Sequence, residues 1–559
     1  MKQIVFLLLI SMTFYSCKKS KVVGLITDNA MVVSAREEAS KIGTDILKQG
    51  GNVFDAMIAT DLALAVCYPY AGNIGGGGFM VYRLKDGSIG ALDYREKAPK
   101  LATKDMYLDS LGNVIPDLST KGGLAVGVPG TIAGLFEVHK KFGSLPIEMI
   151  MEPVIDLASR GYVVTKKDQD VLDEKRQDFL EVNTSPILFS KDWKAKDTIK
   201  QPNLANTLKA IMKDGRDAFY KGEIAETLAT FIQANGGIIT VEDLANYEAV
   251  WRTPITFKYD DLNIISMSPP SSGGICLAQI MKQIEPFQLD EFGHNSLKSV
   301  QVITEAERRA YADRSFYLGD PDFVSIPQEE LISIDYLSNR MADFSFYKAT
   351  PSTEISHGKV EIIESNETTH YSIVDHFGNA IAVTTTLNSG FGSKLYSQEL
   401  GFFLNNEMDD FSSKPGAPNV YGLIGAEANA ILPEKRMLSS MTPTIIEKND
   451  KLYMTLGTPG GSTIITSVLQ TILNVHEYKM SMQEAVNAPR FHHQWLPDEI
   501  RMEPNSFSSE LINQLEAKGY KINQENAPVL GKVDGILILE NGQLEGGADP
   551  RGDDTAVGF

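Results

Sequence analysis

The sequence predicts a mixed α and β fold, and three observations carry that prediction. The first is a hairpin signature. Thr368-Thr369-His370-Tyr371-Ser372-Ile373-Val374-Asp375 runs through a Gly378-Asn379 turn into Ala380-Ile381-Ala382-Val383-Thr384-Thr385-Thr386, two strand-like runs joined by turn residues. The second lies near the N-terminus. Met31-Val32-Val33-Ser34 reads as a strand, and Ala39, Ile42, Ile46 and Leu47 then recur at helical spacing up to Gly50-Gly51. Asn52 suits the N-cap of a second helix through Val66. The third is residues 145–345, which read as mainly helical with breaks at Gly161, Gly215 and Pro269-Pro270. Within them Ser268 to Gly274 reads as a surface turn cluster.

The chain has 559 residues, which implies several domains or one large interlocked unit, and its 43% apolar content supports a sizeable core. A formal net charge of −20 argues against nucleic acid as a partner, because phosphate binding needs Lys and Arg. Three cysteines, Cys17, Cys67 and Cys276, are too few for a disulfide framework. Cys67 and Cys276 sit in apolar or glycine-rich runs and are expected to be buried. Cys17 differs. A basic start, an apolar run from Ile4 to Phe14 too short to span a bilayer, and Tyr15-Ser16-Cys17-Lys18-Lys19 resemble a bacterial lipoprotein signal. That implies a signal peptide over residues 1–16 and lipidation of Cys17. Phe14 stands where Leu is usual, and an ordinary secretory signal is the alternative. The expected location is the periplasm or outer membrane, lipid-anchored, or the periplasm without an anchor. No other segment reaches 18 apolar residues, so no transmembrane helix is expected.

The hydroxyl cluster entering the hairpin is the chemical signal. A threonine hydroxyl is a poor nucleophile without an adjacent base, and an N-terminal threonine carries one in its own α-amine. A free α-amine titrates at roughly 7.7–8.0, close to what a general base needs. Thr368 is internal, so this chemistry requires a cut before it. Thr-Thr-His-Tyr-Ser at 368–372, Gly378-Asn379, Thr384-Thr385-Thr386-Leu387-Asn388 and Phe391-Gly392 resemble the signature of the γ-glutamyltranspeptidases, self-cleaving N-terminal-nucleophile hydrolases. The resemblance runs over nearly the whole chain after its N-terminal segment. It implies an α+β, four-layer αββα sandwich of two antiparallel sheets flanked by helices. It also implies cleavage between Glu367 and Thr368, giving a large subunit, 17–367, and a small catalytic subunit, 368–559, held together as a heterodimer. The polar stretch 346–366 reads by composition as a linker, and by resemblance as the tail leading to the cut.

Other motifs follow in the family's order. Asn73-Ile74-Gly75-Gly76-Gly77-Gly78-Phe79 leads into a strand rather than a helix, so close backbone packing explains it better than a phosphate cradle. Asp93-Tyr94-Arg95-Glu96 supplies a guanidinium whose fork fits a carboxylate. By resemblance, Arg95 grips the substrate α-carboxylate. Glu407-Met408-Asp409-Asp410 concentrates carboxylates that need a cation, either calcium or a substrate ammonium. The resemblance assigns Glu407 and Asp410, with Asn388, to the glutamyl α-amine, and many bacterial members carry Gln in place of Glu407. It makes Tyr421 the covering residue of a lid loop, gives Ser439 and Ser440 hydrogen bonds to the α-carboxylate, and makes the Gly460 and Gly461 amides an oxyanion hole. It also places the Thr386 hydroxyl on the Thr368 amine. His492 and His493 are adjacent; on a strand they face opposite ways, so they are read as structural.

The implied reaction is hydrolysis of glutathione and other γ-glutamyl compounds, or transfer of the γ-glutamyl group to amino-acid or peptide acceptors, with no metal or organic cofactor. Two alternatives stay open at this point. One is an acylase of the same fold acting on glutaryl or other acyl amides. The other is an uncleaved envelope lipoprotein that only binds.

Overall fold

The computed structural model describes residues 21–355, 368–412, 427–525 and 529–559. Two seven-stranded sheets dominate it. The first runs in spatial order Thr555–Gly558, Met31–Ser34, Thr369–Val374, Ala380–Thr386, Gly77–Arg83, Ile89–Asp93, Val250–Arg252. The second runs Leu25–Thr27, Leu544–Gly547, Asp534–Ile538, Lys451–Gly457, Thr444–Lys448, Leu262–Ser266, Ile255–Tyr259. Neighbouring strands are antiparallel in both sheets.

The period-2 alternation of strands sorts their side chains into layers. Met31, Val33, Phe79, Val81, Ala380 and Ala382 of the first sheet meet Ile265, Ile445 and Ile536 of the second in one core between the sheets. The alternate residues, Val32, Met80, Ile373, Ile381 and Val383, face outward onto Ile42, Ile46, Phe54 and Ile58. Those four lie on helices Glu37–Lys48 and Val53–Cys67. On the far side, Ile264, Ile446 and Leu456 pack on Ile275, Val302 and Val468 of helices Gly273–Ile284, Leu297–Tyr317 and Thr463–His476. The result is the four-layer αββα arrangement that the family resemblance implied.

The local expectations near the N-terminus hold. Asn52 caps its helix, its Oδ1 accepting from Phe54 N at 2.8 Å and Asp55 N at 3.1 Å while Asp55 reaches back to Asn52 N. The glycine run is a packing device: a Cβ on Gly76 would fall 2.1 Å from the Thr386 carbonyl oxygen, and one on Gly78 2.5 Å from that of Thr384. Cys67 and Cys276 are buried free thiols. His492 and His493 are both buried and reach different partners, Thr466 and Asp498. Among the described residues, no helix is long and apolar enough to cross a membrane.

Two expectations need correction. Residues 145–345 are not uniformly helical, because Val250–Arg252, Ile255–Tyr259 and Leu262–Ser266 are sheet strands. The Ser268–Gly274 cluster is not on the surface; it is buried. Two of its three hydroxyls donate internally, Ser271 Oγ to Met441 O at 2.6 Å and Ser272 Oγ to Ser439 O at 2.7 Å. A polar turn can be interior when neighbouring carbonyls accept its hydroxyl protons.

A titratable strut ties helix Val53–Cys67 to the first sheet. Tyr371 Oη donates to Asp61 Oδ2 at 2.8 Å, and Asp61 is fully buried. Burial pushes its carboxyl up to about 7, against the pull of the Tyr371 hydrogen bond. A carboxyl raised in the folded state contributes stability that is complete below its unfolded pKa of 3.8 and is lost as pH rises towards 7. Asp61→Asn keeps the acceptor without the charge. The melting temperature of this variant relative to wild type is expected to climb as pH rises from 4 to about 7. A difference that stays flat over that range would mean that Asp61 does not titrate as described.

Candidate active site

The hairpin register builds the centre. Thr369 pairs with Thr385 and His370 with Thr384, so the same antiparallel register sets Thr368 opposite Thr386. Their hydroxyl oxygens lie 3.4 Å apart. Both point to the inter-sheet face, along with Ala380 and Ala382. Thr386 Oγ1 also accepts the Asn388 N–H at 2.8 Å. Asn388 turns the chain with φ of 73° and donates through Nδ2 to Asn406 O at 3.0 Å. That bond ties the strand end to the short 3₁₀ helix Glu407–Asp410.

Arg95 enters from the end of strand Ile89–Asp93 and is 1% exposed. Asp93 Oδ1 accepts its N–H at 3.0 Å, and Tyr247 Oη donates to its carbonyl at 2.7 Å. Its guanidinium contacts Glu407 directly and reaches Asp410 Oδ2 at 2.5 Å. Glu96 stands 3.9 Å away. Burial raises all three carboxyls and Arg95 opposes the rise; Glu96 is pushed up to about 8. Ser439 and Ser440 are buried beside them, the Ser439 hydroxyl oxygen accepting the Met441 N–H at 3.1 Å.

The third wall is Thr458-Pro459-Gly460-Gly461-Ser462, just before helix Thr463–His476. Gly460 and Gly461 have φ of 136° and 53°, a region that side chains disfavour. A Cβ on Gly460 would lie 2.5 Å from Thr463 Oγ1. Among the described residues neither glycine's N–H donates to a backbone carbonyl, and the positive end of the helix dipole stands behind them. This arrangement can stabilise an oxyanion. His370 is not a base here: burial lowers its pKa to about 3, and its ring nitrogens are engaged by Thr384 and Ser372 hydroxyls at 2.9 and 3.1 Å.

Arg95, Thr368, Thr386, Asn388, Glu407, Asp410, Ser439, Ser440 and Gly461 line one small pocket, with Gly460 next to it in the chain. Cys17, Glu367 and Tyr421, which the sequence also singled out, lie outside the described residues. The sequence reading missed Arg314, which also lines the pocket. Its signal was available but ambiguous: helix Leu297–Tyr317 carries Glu305, Glu307, Arg308, Arg309, Asp313 and Arg314, a pattern that reads as a solvated face although all six are buried.

The family model described as Gamma-glutamyltranspeptidase matches residues 39–559. The chain belongs to the γ-glutamyltranspeptidase family. It is 48% identical over 534 residues to a protein from Escherichia coli K12 named glutathione hydrolase proenzyme, covering 95% of this chain and 92% of that one. A Pseudomonas aeruginosa protein of the same name is 42% identical over 532 residues, with 94% of each chain covered. Among solved structures, a cephalosporin acylase from Bacillus halodurans superposes with a TM-score of 0.85 at 24% identity, covering 99% of each chain; that likeness speaks to fold. Helicobacter pylori γ-glutamyltranspeptidase matches at 43% identity with a TM-score of 0.57, over 60% of this chain and 96% of that one. The family membership and the observed layers agree on an N-terminal-nucleophile hydrolase fold.

Proposed function

We propose that the protein is a self-cleaving γ-glutamyltransferase and glutathione hydrolase that uses Thr368 as nucleophile. The observation that carries this reading is the pairing within one pocket. Thr368 Oγ1 sits 3.4 Å from Thr386 Oγ1 at one side, and Arg95 sits against Glu407 and Asp410 at the other. The single guanidinium lies against both carboxyl groups and offsets one of their two charges when both are ionised. A zwitterionic amino-acid head can replace both contacts, its carboxylate taking Arg95, Ser439 and Ser440 and its ammonium taking Glu407, Asp410 and Asn388. A glutaryl group has no ammonium and would leave buried carboxylates without a cation, which is costly.

In the first step the Thr368 hydroxyl attacks the Glu367 carbonyl, the peptide nitrogen leaves as the Thr368 α-amine, and water hydrolyses the resulting ester. Each large sheet contains strands from both sides of Thr368, so the two products, 17–367 and 368–559, remain interleaved as a heterodimer. In turnover the freed amine takes the Thr368 hydroxyl proton as the oxygen attacks the donor's γ-carbonyl. Thr386 orients that amine, and the Gly460 and Gly461 amides hold the oxyanion. The donor's amine half leaves, and water or an acceptor amine resolves the acyl-enzyme. Tyr421 closes the pocket in this reading. Cys17 carries a lipid that anchors the enzyme in the periplasm or at the outer membrane.

Intact-mass analysis of purified protein, with a γ-glutamyl-p-nitroanilide assay on the same sample, tests this. Two chains meeting between Glu367 and Thr368, with p-nitroaniline release, are expected; an intact chain that still releases product would overturn the mechanism. A pH profile adds a second test. Glu407 holds an ammonium more tightly ionised than neutral, and burial raises its pKa. The acid limb of kcat/KM is therefore expected above the ordinary carboxylate range, with activity rising as pH rises through it. Glu407→Gln is expected to shift that limb to lower pH. An unmoved limb would mean that the Thr368 α-amine sets it instead of Glu407.

A further inference from the structure

The buried segment His492-His493-Gln494-Trp495 stands against the loop that carries Gly460 and Gly461, although none of its residues lines the pocket. The contact runs through Ser462, the first residue after the two glycines with a side chain to grip. Ser462 Oγ donates to Gln494 Oε1 at 2.7 Å, and His492 Nε2 lies 2.8 Å from the same oxygen. Ser462, His492 and Gln494 are all buried.

The directions of these bonds are fixed. Gln494 Nε2 donates to Leu496 O at 3.2 Å. Turning the amide over would set its oxygen against that carbonyl, so Oε1 faces Ser462 and His492. Its two lone pairs then receive the Ser462 O–H and the His492 Nε2–H. Burial lowers the His492 pKa to about 3 and keeps the ring neutral, so its bare Nδ1 accepts from Thr466 Oγ1 at 2.9 Å.

The loop needs such holding. A trans peptide points its N–H and C=O opposite ways, so a held carbonyl aims the next N–H. Pro459 O accepts from Thr458 Oγ1 at 2.8 Å, which aims the Gly460 N–H. Gly460 O accepts from Thr463 N at 3.0 Å and Thr463 Oγ1 at 2.8 Å, which aims the Gly461 N–H. These pins are local, and glycines with φ of 136° and 53° have wide conformational freedom. Gln494 supplies an anchor from outside the loop and its helix. That anchor is braced in turn: His493 N donates to Glu307 Oε2 at 2.9 Å, and Trp495 Nε1 donates to Ser352 O at 3.1 Å. Donors aimed in advance at a developing charge need no rearrangement when it forms.

We propose that Gln494 is a positioning residue for the Gly460-Gly461 oxyanion loop, holding it through the Ser462 hydroxyl. This rests on the γ-glutamyl reading, in which those two amides meet the reacting carbonyl.

The test separates binding of the donor head from stabilisation of a tetrahedral centre. Turnover of γ-glutamyl-p-nitroanilide is measured together with inhibition by two ligands. Glutamate carries the head alone. In 2-amino-4-boronobutanoic acid the Thr368 oxygen adds to boron, its proton passes to the α-amine and the boron becomes a tetrahedral anion. Wild type, Ser462→Ala, Gln494→Met, Gln494→Glu and the Ser462→Ala/Gln494→Met double variant are compared, with circular dichroism and thermal melting reporting the fold. In Ser462→Ala and Gln494→Met, kcat and kcat/KM are expected to fall together by roughly tenfold, less than the 10²–10³ for losing an oxyanion donor itself. Affinity for the boronate should fall by a similar factor, while affinity for glutamate stays at the wild-type value. Gln494→Glu should lose less than Gln494→Met, because a buried carboxyl takes up a proton and can donate to Leu496 O in the amide's place. The double variant should lose less than the product of the single losses. Wild-type turnover by a folded Ser462→Ala overturns the proposal. So does a loss that weakens glutamate as much as the boronate, since that would be general damage to the pocket. If Gln494→Met does not fold, Ser462→Ala and Gln494→Glu decide the matter. Wild type without γ-glutamyl activity would instead overturn the functional reading itself.

Discussion

Thr368→Ala is expected to remain a single uncleaved chain with less than about one part in 10⁴ of wild-type activity, the scale of loss when a covalent nucleophile is removed. Two functions disappear with one oxygen: the attack that would break the Glu367–Thr368 bond, and the attack on the donor. The α-amine that would serve as base is never released either. The fold should survive. Thr368 precedes strand Thr369–Val374, and replacing it with Ala removes a hydroxyl and a methyl without altering the backbone register of the hairpin. Denaturing gels and circular dichroism therefore separate the mechanism from misfolding. Two bands from this variant would place the cut on another group. Thr386→Ala should be milder, because Thr386 orients the amine without supplying the attacking oxygen.

Arg95→Ala is expected to cost both binding and stability. From sequence alone its loss would only weaken the donor's carboxylate contact. The structure adds a second cost: Glu407 and Asp410 lose the cation that both contact. Breaking a buried ion cluster by removing one partner costs about 3–5 kcal/mol. Thermal melting should report that loss, and KM for a γ-glutamyl donor should rise by roughly tenfold or more. Adding Glu407→Gln to Arg95→Ala separates the two effects. The double variant should regain part of the lost stability, since one uncompensated charge is gone, but not the lost affinity. If Arg95→Ala melts like wild type, the cluster is not the structural element described here.

Sequence reading reached far where residues report their own local physics. The β-branched runs around Gly378-Asn379 became the central hairpin, with Gly378 at φ of 90°. Asn52 became a cap because its side chain reaches N–H groups two and three residues ahead. The glycines at 75–78 marked a place where strands and carbonyls crowd. Strand Ile255–Tyr259 was missed, yet its signal was present: Ile255, Phe257 and Tyr259 are buried while Thr256 and Lys258 are exposed. That alternation lay inside a stretch judged by its longer helical neighbours.

The burial of charge was beyond such reading. Nothing in the order of residues distinguishes Arg314 on a solvated helix from Arg314 inside a pocket, and nothing in Asp93-Tyr94-Arg95-Glu96 shows that Glu407 and Asp410 close on the same guanidinium. Those groups are separated by more than 300 residues.

The sequence by itself determined the chemical inventory: a threonine that can become a chain end, a guanidinium, paired carboxylates, two hydroxyls and two adjacent glycines. Residue identity and short-range pattern suffice for that, because they depend on covalent chemistry and local backbone preference. Only the tertiary structure decided which of these groups face one another, that a turn rich in serine is interior, and that a second arginine stands over the pocket. Those facts depend on how two sheets pack, and packing is a property of contacts between distant segments that no local pattern encodes.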